Sequence, residues 1–211
     1  MKRSFLLCCI LLILSNWVCA QFTKSYNKSI HISTEALWVK GDHQEQSPAI
    51  RYSVLYSQPL ANTRWTMEAG LSFTSRYTRD RFYTSTVFWE NQRTQLATVD
   101  VSFLFNVINQ KRHTVAFGAG PSLWFLRNGN TYDVAGQANQ NGDIETISYR
   151  WVYTSAFNVG LNLRTTYTYA LTDRLLIGAR LGVGGNLFRS SSEGTLYGTL
   201  STIGLSAGYR F

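Results

Sequence analysis

Residues 197–211, YGTLSTIGLSAGYRF, constrain this chain more than any other stretch. Read with a period of two, Tyr197, Thr199, Ser201, Ile203, Leu205, Ala207, Tyr209 and Phe211 share one face. Gly198, Leu200, Thr202, Gly204, Ser206, Gly208 and Arg210 share the other. One face is apolar and closes on two aromatics; the other is glycine, hydroxyl and a single cation. That is β-strand alternation, because successive side chains of a strand point to opposite faces. It also exceeds the roughly 9–11 residues that a tilted strand needs to cross a bilayer.

The same alternation recurs seven times upstream. It covers 30–40 (Ile32, Ala36 and Trp38 against His31, Ser33 and Glu35) and 48–57 (Ile50, Tyr52, Val54 and Tyr56 against Arg51, Ser53, Leu55 and Ser57). A third run starts at Arg64, with Trp65, Met67, Ala69, Leu71 and Phe73 opposite Glu68 and its neighbours, and a fourth sets Val99, Val101 and Phe103 against Asp100. Runs at 113–126, 151–167 and 175–184 follow, the last two carrying Arg164 and Arg180 on their non-apolar faces. Pro121 falls inside the fifth run and cannot donate a ladder hydrogen bond, which predicts a bulge or the strand's end there. Long connections (41–47, 75–94, 127–146, 186–196) alternate with short turn-like ones (58–63, 106–112, 170–174). The residues of 75–94 predict two strands continuing as a protruding hairpin; 127–146, rich in Asn, Gly, Gln and Asp, reads as loop.

Period two does not say which face is inside. A lipocalin-like soluble barrel would turn the apolar face inward, around a ligand. Three features favour the inverse. The non-apolar face carries most strand glycines and the isolated charges Glu35, Arg51, Glu68, Asp100, Arg164, Arg180 and Arg210, which can pair across a narrow lumen. Aromatics gather near run ends, as at membrane interfaces: Tyr56, Trp65, Phe105, Tyr167, Tyr209 and Phe211 at one rim, Trp38, Phe73, Phe125, Trp151 and Tyr197 at the other. Lipid admits only helices or closed barrels, and no spanning helix follows the amino terminus. The expected fold is all-β: an eight-stranded antiparallel up-and-down transmembrane β-barrel with a polar, side-chain-filled lumen.

The amino terminus agrees. Lys2 and Arg3 precede an apolar run from Phe5 to Leu14, then Ser15–Asn16 and Val18-Cys19-Ala20. This predicts a secretory signal peptide over 1–20, cleaved near Ala20, and one barrel domain over 21–211. All three cysteines lie in the leader, so no disulfide, thiolate metal site or cysteine nucleophile is expected in the mature chain. Of 20 basic residues, removing Lys2 and Arg3 leaves 18 against 12 acidic ones, a surplus of +6. No cluster forms a phosphate-binding stripe for nucleic acid. Anionic lipid headgroups and lipopolysaccharide are the expected partner class.

The terminal pattern, an apolar face counted back in twos from Phe211 with Tyr209 before it, resembles the closing strand of bacterial outer-membrane β-barrels. Over the whole mature chain the architecture is similar to the small eight-stranded outer-membrane proteins of the outer-membrane-protein X and A type. The resemblance implies a Gram-negative outer-membrane location and recognition of Tyr209 and Phe211 by the barrel-assembly machinery. That family holds adhesins, structural anchors and a few lipid-modifying enzymes, so fold alone does not set function.

One enzymatic candidate stands out. His31-x-Ser33-x-Glu35 lies on one strand face, and His-x-Ser resembles the pair of outer-membrane lipid-A deacylases. That family sets its motif late in the chain and toward the lipid, whereas these residues lie opposite Trp38, so a polar lumen row is preferred. His43 and His113 stand apart, and no metal-ligand spacing or cofactor motif appears. Gly182–Gly185 lacks the helix and Lys-Ser/Thr pair of a phosphate loop. The function expected is therefore non-catalytic: a structural or surface-interaction role through extracellular hairpins, with a lumen plugged by charged side chains. Arg76, Arg79, Arg81, Phe82, Tyr83, Phe88 and Trp89 form the candidate loop patch for an extracellular ligand or protein. The alternatives are a lipid-A-modifying hydrolase and a narrow gated pore.

Overall fold

The computed structural model describes residues 28–40, 48–60, 64–82, 87–110, 112–141, 143–187 and 199–211. The leader, its cleavage site, the 41–47 connection, His43, Tyr83, most of 186–196 and Tyr197 lie outside the described residues.

Eight strands form: β1 (Ser29–Lys40), β2 (Ala49–Pro59), β3 (Trp65–Arg81), β4 (Phe88–Asn109), β5 (His113–Ala138), β6 (Ile144–Ala170), β7 (Leu175–Asn186) and β8 (Thr199–Arg210). Each pairs antiparallel with the next, and β8 returns to β1 in register from Ser29↔Arg210 to Lys40↔Thr199, closing the barrel. Closure leaves the membrane-spanning part without a free sheet edge, as lipid requires.

Burial runs opposite to that of a soluble protein. Leu205 is 73% exposed and Leu71 62%, while Glu35, Glu68 and Asp100 are 3% exposed or less. Charged side chains are almost never that buried without partners. The apolar face therefore points outward and the charged face inward.

Strand lengths are unequal. β1, β2, β7 and β8 have 11 or 12 residues each, enough to cross at a tilt. β3 to β6 have 17, 22, 26 and 27 residues. β2 leaves β3 at Thr74 and β7 leaves β6 at Gly160, so beyond those points β3–β6 continue as a sheet extension on the long-loop side. Bulges bend the extension between Thr78 and Arg79 and between Tyr132 and Ala135; Asp133 at the second has a φ of 54°.

Three expectations change. The segment 127–146 is not a loop: β5 runs to Ala138, β6 starts at Ile144, and they pair throughout apart from two bulges. The turn is short, with Asn139 Oδ1 accepting from the Asn141 and Asp143 amides at 2.9 and 3.0 Å. Pro121 neither ends β5 nor makes a bulge, since Asp100↔Ser122 and Phe103↔Ala119 keep one register across it. The ladder to β4 skips Pro121 and Gly120, and the two strands lie so close there that a Cβ at Gly118 or Gly120 would collide with the β4 backbone. Trp151 is not at the rim with Phe125, because Phe125 pairs with Phe157 and Trp151 lies six residues, about 20 Å, farther along β6.

Candidate functional site

Six of the interior charges form a closed alternating ring. Arg51 reaches Asp100 at 2.8 Å and Glu35 at 3.9 Å. Arg164 reaches Glu68 at 2.7 Å and Asp100 at 3.3 Å. Arg180 reaches Glu68 at 2.5 Å and Glu35 at 3.6 Å. Every carboxylate thus lies between two guanidinium groups and every guanidinium between two carboxylates. Three charges of each sign make the ring neutral, so mutual attraction offsets part of the desolvation that each charge pays on burial. Arginine suits this role because its planar fork can serve two acceptors at once.

The strands position these groups by parity and by space. Glu35, Arg51, Glu68, Asp100, Arg164 and Arg180 come from β1, β2, β3, β4, β6 and β7. The other two strands contribute differently. From β5, the Ser122 hydroxyl donates to Asp100 Oδ1 and itself accepts from Trp124 Nε1 at 2.7 Å. From β8, glycine makes room: Gly204 pairs with Glu35 and Gly208 with His31. A Cβ at Gly204 would stand 2.6 Å from Glu35 Cγ, and one at Gly208 would overlap the His31 ring. Arg51 also donates to Ser72 and Thr98 at 2.8 and 2.9 Å, so its head group is held from two more sides.

On the long-loop side of the ring, the interior turns apolar. Leu37, Leu96, Trp124, Leu126 and Leu200 pack as one buried cluster. The void between ring and cluster, bounded by Arg51, Asp100, Trp124 and Arg164, measures ≈ 20 Å³, close to the space of one water. On the short-turn side the interior widens into a polar vestibule. Sequence reasoning left this apolar layer unassigned, although Trp124 has the parity of Ser122, and Leu37 and Leu200 that of Glu35 and Gly204.

The remaining candidates fall elsewhere. Arg210 lies at the short-turn mouth, outside the ring and in no ion pair among the described residues. His31 and Ser33 are not joined: His31 Nε2 bonds Ser29 Oγ at 2.9 Å, and Ser33 donates to Glu35 at 3.2 Å. Both face the interior, away from lipid. His113 bonds Tyr167 Oη at 2.9 Å at the barrel's outer rim. Among the described residues no cluster of His, Asp or Glu is arranged to hold a metal. Gly182 and Gly184 have interior parity, and Gly182 faces Thr202. Tyr209 and Phe211 are exposed on the outer face of the short-turn rim, near Arg174, which donates to Tyr209 Oη at 3.3 Å.

The loop patch is split rather than gathered. Arg79 sits over Tyr77 at 5.3 Å, and the Phe82 ring lies against Gly136. Trp89 packs tilted on Tyr149 at 5.8 Å, opening a run of ring contacts that turns edge-to-face at Trp151 and stacks Trp151 on Tyr153, with Arg127 4.0 Å above the last ring. Phe88 stays exposed, and Arg76 pairs with Thr94 across the hairpin. The Arg81 side chain lies outside the described residues. Sequence reasoning left Tyr149, Tyr153 and Arg127 out of the patch because it read 127–146, which holds Arg127 and the strand opposite the two tyrosines, as loop.

A closed eight-stranded ring, apolar outside and charged inside, with short turns at one end and long extensions at the other, defines the small outer-membrane β-barrel. Solved structures of that class share the fold. The major outer membrane protein of Thermus thermophilus is 14% identical with a TM-score of 0.61, over 89% of this chain and 100% of that one. Neisserial surface protein A is 13% identical with a TM-score of 0.51, over 88% and 95%. Ail of Yersinia pestis, solved in complex with the heparin analogue sucrose octasulfate, is 14% identical with a TM-score of 0.50, over 88% and 97%. No family model and no curated protein sequence matches the chain.

Proposed function

We propose that this protein is a non-catalytic component of the outer membrane whose interior is closed by the charge ring and whose working surface is the β3–β6 extension. The unequal strand lengths carry this reading. A barrel that served only as an anchor needs strands of 11 or 12 residues, like β1, β2, β7 and β8, yet β5 and β6 have 26 and 27. The surplus presents exposed Phe88, Tyr149 and Tyr153, with Arg127 stacked on the last, and aromatic and Arg side chains are favoured at binding surfaces. The separation of His31 from Ser33 speaks against a lipid-A hydrolase, and the ≈ 20 Å³ void beside the ring against an open pore. A leader cleaved near Ala20 would deliver the chain, and the outward Tyr209 and Phe211 would meet the assembly machinery.

Because Ail was solved with a sulfated sugar analogue, sulfated oligosaccharide is the first probe to present to the extension. Saturable binding by the purified barrel, lost in Trp89→Ala/Tyr149→Ala while the barrel still folds, is the expected result. Equal binding by both proteins would move the working surface elsewhere. Lipid A from cells with and without the protein should give the same mass spectrum; a lost acyl chain would make it an enzyme.

A further inference from the structure

We propose that the short-turn mouth of the barrel, periplasmic in an outer-membrane orientation, is a binding site for a phosphate-class oxyanion gripped by Arg112 and Arg210. Two adjoining chambers form this mouth. The outer one, ≈ 370 Å³, is bounded by Arg112, Arg210, Asn109, Gln110, Thr114 and Thr168 and has no carboxylate among the described residues of its wall. The inner one, ≈ 170 Å³, shares Asn109, Thr114, Thr168 and Arg210 with it and ends on Glu68 and Arg180.

The floor is closed chemistry. Glu68 accepts from both Arg164 and Arg180, so it neither neutralises Arg210 nor offers a free acid to a cation. The walls are open chemistry. Arg112 and Arg210 make no ion pair among the described residues, unlike Arg51, Arg164 and Arg180, each held by two carboxylates. Arg112 and Arg210 thus both line the outer chamber without a carboxylate partner among the described residues, beside hydroxyl and amide side chains, a setting that suits a phosphate, whose oxygens guanidinium forks hold bidentately. The neutral donors and acceptors around them suit the hydroxyls of a polyol carrying that phosphate. Such a group could enter as a free periplasmic ester or as an inner-leaflet phospholipid headgroup, which would have to bend over the rim. The site is independent of the β3–β6 surface, which lies at the other end of the barrel.

The test uses the full-length barrel refolded in an uncharged detergent, with glycerol phosphate as the probe and glycerol as the neutral control. Phosphorus NMR line broadening should show saturable binding of the phosphate alone. Arg210→Gln and Arg112→Gln should each weaken it about tenfold, the worth of one charge-assisted hydrogen bond. Arg112 lies in an exposed turn, so that variant tests the site even if Arg210→Gln folds poorly. Arg174→Gln, a cation turned to Tyr209 on the outer rim, should leave binding unchanged. In phosphatidylcholine nanodiscs, loss of binding when phosphatidylglycerol is added would name the headgroup as occupant; unchanged binding would name the free ester. No saturation with wild type, or an equal loss in Arg174→Gln, overturns the proposal.

Discussion

Arg180 on β7 donates to both carboxylate oxygens of Glu68 on β3, at 3.1 and 2.5 Å. In a ring of eight strands, β3 and β7 stand opposite one another, so this pair spans the bore. The other five pairs fill in around it, and each charge depends on two neighbours rather than one. Removing a single member therefore leaves a net charge buried, not a gap.

Arg180→Met should destabilise the refolded barrel by about 3–5 kcal/mol, the usual cost of stranding a buried charge. Leu181→Ala, one residue away but 52% exposed on the outer face, should cost much less. Denaturant unfolding in lipid or detergent measures both. Equal losses would mean that the ring contributes no more than an outward leucine.

Neutrality is separately testable. Arg180→Met with Glu35→Gln leaves two acids and two arginines, so the double variant should be more stable than the sum of the single losses predicts. The coupling expected for residues in one network is about 0.5–3 kcal/mol. An additive double variant would show that Glu35 and Arg180, 3.6 Å apart, do not act as a unit.

Gly204→Val should disturb the ring from behind, because its new side chain enters the space of Glu35 Cγ and the β1 backbone. Overpacking of this kind costs about 1–3 kcal/mol. Gly185→Ala meets nothing within 4 Å and should be tolerated. Comparing the two by the mobility difference between unboiled and boiled samples on a denaturing gel, as a function of urea, separates crowding from strand propensity. Similar midpoints would remove the steric argument for β8.

Trp124→Ala should empty the apolar layer and leave Ser122 without its indole donor, at a cost of about 3–5 kcal/mol. Trp124→Phe keeps most of the bulk and should lose only the hydrogen bond, about 1 kcal/mol. Unfolding curves that coincide for the two variants would show that the layer's volume is irrelevant.

Period two carried most of the fold, since lipid and lumen impose opposite chemistry on alternate residues. It put Glu35, Arg51, Glu68, Asp100, Arg164 and Arg180 on the inner face, and these are the six that meet. Period two does not encode how far a strand tilts or which depth a residue reaches. Arg210 has the same parity on β8 as Gly204 beside Glu35, yet it lies at the mouth, beyond the reach of the ring. The 127–146 extension was illegible for another reason: Asn, Gly and Asp disfavour strands in isolation. Pairing with β6, and the close seat that Gly129 gives Tyr153 and Trp151, overrides that preference.

Conductance across a planar bilayer tests the closed interior most directly. Wild-type protein should stay at baseline, because the void where the ring meets Trp124 and Leu200 measures ≈ 20 Å³. Large, steady wild-type channels would contradict the account, since no such current could pass a ring whose six charges hold one another across the bore.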